Sequence, residues 1–264
     1  MAAAEWGRFT TLVGLTAKTT LSSRKGAVTW AVALLPLYVV GAVLAAGSEV
    51  TIELFQVLLA GPPPSVTGLF TIVLVVVALV HGSRLFREEL EDNTLSYLTT
   101  RRISKASLVA YKFLGYYASA LLIIVLPIIA SYLLVVSSSG VPLAENLEVL
   151  GAFVTMAAVG IAAFGGLFLL FGFALKQALM AGLLYGFLWE SIIPILPGNV
   201  PLLSMTHFLR SIGQNIVPTG SGILSQWVTT LNLFTSILVP LLVAAAAVVL
   251  TYILLITREI KTKD

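Results

Sequence analysis

The chain has 264 residues, 58% of them hydrophobic and only 10% charged, with a mean hydropathy of +1.02 and a formal net charge of +3. Soluble domains carry roughly 25% charged residues, so this composition excludes a water-soluble globule and specifies an integral membrane protein. Cysteine is absent, which excludes a disulfide framework, a thiolate metal site and a thiol nucleophile.

Residues 5–25 place Trp6, Phe9, Leu12 and Val13 at helical spacing, with Arg8, Thr11 and Lys18 on the other side. This pattern predicts an amphipathic helix in the membrane interface, Trp6 at headgroup depth; a frayed polar tail is the alternative. Nothing here has the layout of a cleaved signal peptide. A span needs about 20 apolar residues, and six windows qualify: 27–46, 66–86, 113–136, 149–175, 178–196 and 233–256. The fold class expected is therefore an all-α membrane protein, one transmembrane domain over residues 1–264. Val50–Ala60 is too short to span and carries Glu53, so it reads as an extracytoplasmic surface segment before the stiff turn Gly61-Pro62-Pro63-Pro64.

The stretch from Arg87 to Lys112 is the most charged in the chain. Its acids come first (Glu88, Glu89, Glu91, Asp92), then the apolar Leu95, Tyr97 and Leu98, then the bases Arg101, Arg102 and Lys105. Asp92, Asn93 and Thr94 are helix-capping types, and Ser104 is placed to cap the helix that follows. The pattern predicts a short, partly apolar helix on the membrane surface between two spans.

The third and sixth windows contain Pro127 and Pro240, both compatible with kinks. In the fourth, Ala158, Ala162 and Gly166 recur at four-residue spacing, which permits close helix approach either within the chain or across a dimer seam. The fifth window ends in Trp189-Glu190-Ser191-Ile192-Ile193-Pro194. Pro194 cannot donate to the carbonyl of Glu190, so a break is expected there, beside the only acid inside a span. An ionisable residue at such depth is a functional candidate. Glu190, with Trp189 and Tyr185, is the candidate substrate path or gate; a solvated outer-leaflet side chain is the alternative. Residues 201–214 then put Leu202, Met205, Leu209 and Ile212 on one face, joined by Phe208, predicting an amphipathic helix on or dipping into the outer leaflet.

Lysine and arginine set orientation. With six spans, every one of the 15 bases except Arg210 falls on the side of the two termini, so both termini and the 87–112 loop are expected in the cytoplasm. The bases thus mark span ends and give no reason to expect a nucleic-acid partner. The chain has no Gly-x-x-x-x-Gly-Lys-Ser/Thr phosphate loop, and its two histidines, His81 and His207, fall on opposite sides. No catalytic, metal or cofactor-binding residue is therefore expected.

The run Thr94-Leu95, Leu98, Thr100-Arg101, Ile103-Ser104-Lys105 and Lys112 resembles the loop after the second span in permease subunits of type-2 ABC transporters, the exporter class. Asn93 stands where that family usually has Gly, and Arg102 where it has Pro. The short segment between spans five and six is similar to the family pattern as well. The resemblance implies an ATP-driven exporter at the plasma membrane. ATP and Mg would sit on a separate cytoplasmic ATPase subunit, and a second permease copy or a homologous permease would complete the pathway. It also implies that Glu88, Glu89, Glu91, Asp92, Thr94, Leu95, Tyr97, Leu98 and Arg101 couple the ATPase to the spans. Leu, Val, Ala and Phe walls suit an amphipathic or lipid-like cargo, and equally suit contact with membrane lipids. A stand-alone carrier or channel, a membrane scaffold, and a permease with an accessory role remain open alternatives; an intramembrane enzyme lacks a nucleophile–base pair.

Overall fold

The computed structural model describes residues 14, 24–61, 68–87, 104–140, 142–144, 146–217 and 231–257. Among these every regular element is helical: α1 Arg24–Ala33, α2 Leu35–Ala45, α3 Ile52–Ala60, α4 Leu69–Gly82, α5 Lys105–Ser139, α6 Leu147–Ala174, α7 Ala178–Ile195, α8 Met205–Ile216 and α9 Leu233–Thr257. Four helices, α5, α6, α7 and α9, are long and apolar enough to cross a membrane, and α1 with α2 makes a fifth if that bent pair is one span. The window 66–86 contributes only α4, 14 residues long; at about 1.5 Å per residue it reaches roughly 21 Å. The expected interfacial helix lies almost wholly outside the described residues.

Local chemistry explains the element ends. α1 and α2 meet at a bend of 42°, where Pro36 enters the first turn of α2 without an amide hydrogen to donate. Helical bonds still cross the bend from the Leu34 and Tyr38 amides to the Trp30 and Leu34 carbonyls, at 2.9 and 3.0 Å. Ser104 caps α5 as expected, its hydroxyl accepting from the Ser107 amide at 3.0 Å. That helix starts well before residue 113 and closes on Gly140, whose φ of 67° is left-handed. Asn232 caps α9 through the Thr235 amide at 2.8 Å. Both α5 and α9 run through their internal prolines, Pro127 and Pro240.

The centre of the bundle is α6. It touches α4, α5, α7, α8 and α9, and it is the most enclosed of the four long helices, whereas α7 and α9 are the least. Its small residues serve contacts within the chain. A side chain at Gly172 would run into the Ser83 backbone, one at Gly166 would sit 3.0 Å from the Ala244 backbone, and one at Gly165 would enter the Tyr116 ring. Tyr116 itself is fully buried, and its hydroxyl donates to the Ile161 carbonyl at 3.3 Å.

Burial adds to two expectations. The Val50–Ala60 segment is packed into the bundle along one face: α3, capped by Thr51, buries Phe55 and Leu59 completely while Thr51 and Glu53 stay exposed. Phe55 packs edge-on against Tyr132 and Phe153 at 6.3 and 5.8 Å, an arrangement that aromatic quadrupoles favour. The 201–214 segment is likewise docked on the bundle by its apolar face. α8 buries Met205, Phe208, Leu209 and Ile212 against α6 and α9, and its polar Ser211 is fully buried too. Leu202 does not share that face; it sits in a 3-10 turn, Val200–Leu203, and is exposed.

Candidate gate and the flanks of the charged loop

The three residues proposed from sequence as a path or gate, Tyr185, Trp189 and Glu190, come together on α7. They do so because α7 is irregular there. Leu184–Trp189 is a π-helical turn, Glu190–Ile192 returns to α, and Ile193–Ile195 tightens to 3-10 around Pro194. The expected break therefore falls three to five residues beyond Glu190 as a tightening, and a π-turn that the proline does not explain precedes it. π-turns are uncommon and often mark functional positions. Tyr185 and Trp189 stack with ring centroids 6.5 Å apart, and Tyr185 lies close enough to Glu190 to feel its charge.

Glu190 is neither solvated nor unpaired, contrary to the sequence-based view of it as a lone acid. It is 1% exposed, and its carboxylate accepts from the Ser204 hydroxyl at 2.6 Å, the Thr206 amide at 2.8 Å and the Met205 amide at 3.1 Å. Those two amides are the first of α8, groups that a helix leaves without internal partners. Ser204, the α8 N-cap, accepts from the His207 amide at 3.4 Å while donating to Glu190. Next to Glu190, the Trp189 indole donates to the Leu203 carbonyl at 3.1 Å. Two consecutive residues of α7 thus satisfy the Leu203 carbonyl, the Ser204 hydroxyl and the Met205 and Thr206 amides, and a carboxylate at a helix N-terminus also meets the positive end of the helix dipole. Arg210, one turn further along α8, lies close enough for its charge to interact with Glu190. Among the described residues, one buried side-chain atom has no partner, the Thr206 hydroxyl.

The other end of α8 is fastened to α9. The Ser236 hydroxyl donates to Ser211 Oγ at 2.8 Å. Ser211 and Asn215 both donate to the Leu231 carbonyl, at 3.2 and 3.1 Å. On the outer side of α8, burial and the neighbouring Arg210 hold the His207 imidazole below its ordinary value.

Ser204, Met205, Thr206 and Arg210 were not singled out as partners of Glu190 from sequence. A serine opening an amphipathic helix was a visible N-cap signal, and Arg210 was the one base on its expected side. Only folding shows that the acid and these groups meet.

The residues expected to couple an ATPase, Glu88, Glu89, Glu91, Asp92, Thr94, Leu95, Tyr97, Leu98 and Arg101, lie outside the described residues. Their two flanks do not. Arg87 donates to the Leu175 carbonyl at 2.9 Å, and Lys112 donates to the Leu85 carbonyl at 2.8 Å. Leu175 is the C-cap of α6 and Leu85 lies just past the end of α4, so cations meet carbonyls at or near two helix C-termini. Lys112 is 8% exposed and sits 4.7 Å from the centre of the Phe86 ring, a cation–π contact. Phe86 in turn packs edge-on against Phe173 at 6.0 Å. Leu108, Val109, Leu169 and Leu255 complete a small core that joins the ends of α4, α5, α6 and α9. No protein-family model, curated protein or solved structure matches the chain.

Proposed function

We propose that this chain is the permease subunit of a type-2 ABC exporter, driven by a separate ATPase subunit that docks on the segment between α4 and α5. The observation that carries this reading is the fastening of both flanks of that segment. Arg87 ties its entry to the end of the central helix α6, and Lys112 ties its exit to the end of α4. A surface loop that only balanced charge would have no need of a buried lysine on a helix-end carbonyl. A lever would, because force applied to residues 88–103 then reaches the bundle at two points. Leu95, Tyr97 and Leu98 are the large apolar anchors such a docking helix supplies, and Glu88, Glu89, Glu91 and Asp92 would steer a basic rim on the partner. In this reading the bent pair α1–α2 and the short α4 are spans together with α5, α6, α7 and α9. Both termini face the cytoplasm, and two permeases assemble with two ATPases at the plasma membrane. ATP and Mg belong to the ATPase. The cargo is amphipathic or lipid-like, in keeping with the apolar walls.

A stand-alone carrier would need free ionisable groups at mid-membrane; the one acid available, Glu190, is occupied by the chain's own donors. The test is purification from native membranes in mild detergent, followed by native mass spectrometry and ATP-hydrolysis assay. A nucleotide-hydrolysing partner is expected to co-purify. Leu95→Asp combined with Leu98→Asp should release it, or leave it hydrolysing without transport, with the permease still folded. A wild-type chain free of any ATPase would overturn the reading, and a double variant that keeps its ATPase and transports normally would overturn the coupling assignment.

A further inference from the structure

Helix α8 is held at its two ends by different chemistry. At its N-terminal end the fastening is one carboxylate with three of α8's donors on it: Ser204 Oγ, Met205 N and Thr206 N. At its C-terminal half the fastening is spread over Ser211, Asn215, Ser236 and the Leu231 carbonyl. Beneath α8 lies α6, where the Leu209 side chain rests against Gly160 at 3.0 Å from where a Cβ would stand. The carboxylate arrives from α7, one of the two least enclosed long helices, and it arrives directly after the π-turn.

We propose that Glu190 is a latch whose release lets the first turn of α8 swing off α6 while its second half stays hinged on α9. The latch is specific to a carboxylate. Each of its oxygens accepts from a backbone amide, so an amide side chain in its place would set its own N–H groups against the Met205 amide in one orientation and the Thr206 amide in the other. Carboxylate-to-amide exchange, nearly isosteric elsewhere, therefore breaks contacts here and leaves buried donors unpaired. Trp189 adds a second, weaker hold through the Leu203 carbonyl, on a segment whose Leu202 and Leu203 side chains are already exposed. The buried Thr206 hydroxyl, unpartnered in the closed arrangement, loses nothing when that turn leaves. Hinge and latch together make α8 a two-position element, and its opening uncovers Met205 before Ile212.

The chain has no native cysteine, so single cysteines at Met205 and at Ile212 report each half of α8. Each is reacted with a membrane-impermeant maleimide in detergent micelles and in proteoliposomes, with and without Glu190→Gln. In the parent both sites are expected to react slowly, since Met205 and Ile212 are 8% and 0% exposed. With Glu190→Gln, Met205→Cys should react about tenfold faster while Ile212→Cys stays protected, the penalty of unpaired donors converted to a population ratio. Ser204→Ala, which removes one donor and leaves both amide contacts, should give a smaller gain in the same order. Equal protection of both sites in Glu190→Gln would overturn the latch. Exposure of both together would overturn it too, making Glu190 an ordinary structural residue; a melting temperature measured on the same samples separates that case from a local opening. A second arm, which rests on the exporter reading, adds nucleotide to the complex with its ATPase and expects Met205→Cys labelling to change. If Glu190→Gln exposes Met205→Cys but nucleotide does not, the latch stands and its use by an ATP-driven cycle falls.

Discussion

His207 and Glu190 face opposite demands although both are hydrogen-bonded to Ser204, one through its backbone amide and the other through its carboxylate. Glu190 is enclosed by donors, whereas His207 is half-buried beside a cation, and its imidazole is held below the ordinary value of 6.5 by burial and then by Arg210. The sign follows from proton counting. With α8 undocked the imidazole takes up a proton near pH 6.5; docked, it does so only at lower pH. Between those values the undocked state binds more protons, so docking is at full strength above about pH 6.5 and weakens as the pH falls below it. Thermal midpoints measured from pH 7.5 down to 5 should therefore drop, and His207→Gln should flatten that drop. A profile unchanged by His207→Gln would mean that other groups set it.

Among the elements, α6 sets the spacing of its neighbours. Gly165, Gly166 and Gly172 stand where another backbone or ring comes too near for a side chain, most closely at Gly172 against the Ser83 backbone. A helix backbone cannot step aside the way a side-chain tip can, so Gly172→Ala should force α4 and α6 apart. The cost expected is about 1–3 kcal/mol, the usual range for overpacking a filled interior, read as a lowered unfolding midpoint in detergent. Gly151, which has open space around it, is the control: Gly151→Ala should leave the midpoint unchanged or raise it, since alanine is the better helix former. The same close packing seats the Gly166 position of α6 on α9 of its own chain.

For the whole molecule, the least enclosed long helices are α7 and α9. Their outward faces carry large apolar side chains, among them Leu184, Leu188, Phe234, Leu242 and Val249. In the exporter reading these faces meet lipid or a second permease. Native mass spectrometry of the complex released from gentle detergent is expected to give two permeases with two ATPases. A lone permease beside an active ATPase would count against the paired arrangement.

The membrane class, the positions of the long helices and the Ser104 cap were legible in the sequence because each depends on neighbours in the chain. Apolar runs of span length, a serine before a helix and a proline near a helix end act locally, whatever the tertiary arrangement. The same local reading gathered Tyr185, Trp189 and Glu190, one turn apart on a single helix. What the sequence could not assign was who faces whom. Val50–Ala60 looked like a surface piece because its length and Glu53 say nothing about Phe55 fitting between Tyr132 and Phe153. The 201–214 helix looked like a leaflet helix because amphipathicity is the same whether the apolar face meets lipid or α6. Glu190 looked unpaired because its donors lie 14 to 16 residues away, across a turn whose path only packing decides. The ties of Arg87 and Lys112 span 88 and 27 residues. Local chemistry determined the helices; contacts distant in sequence decided what each helix holds.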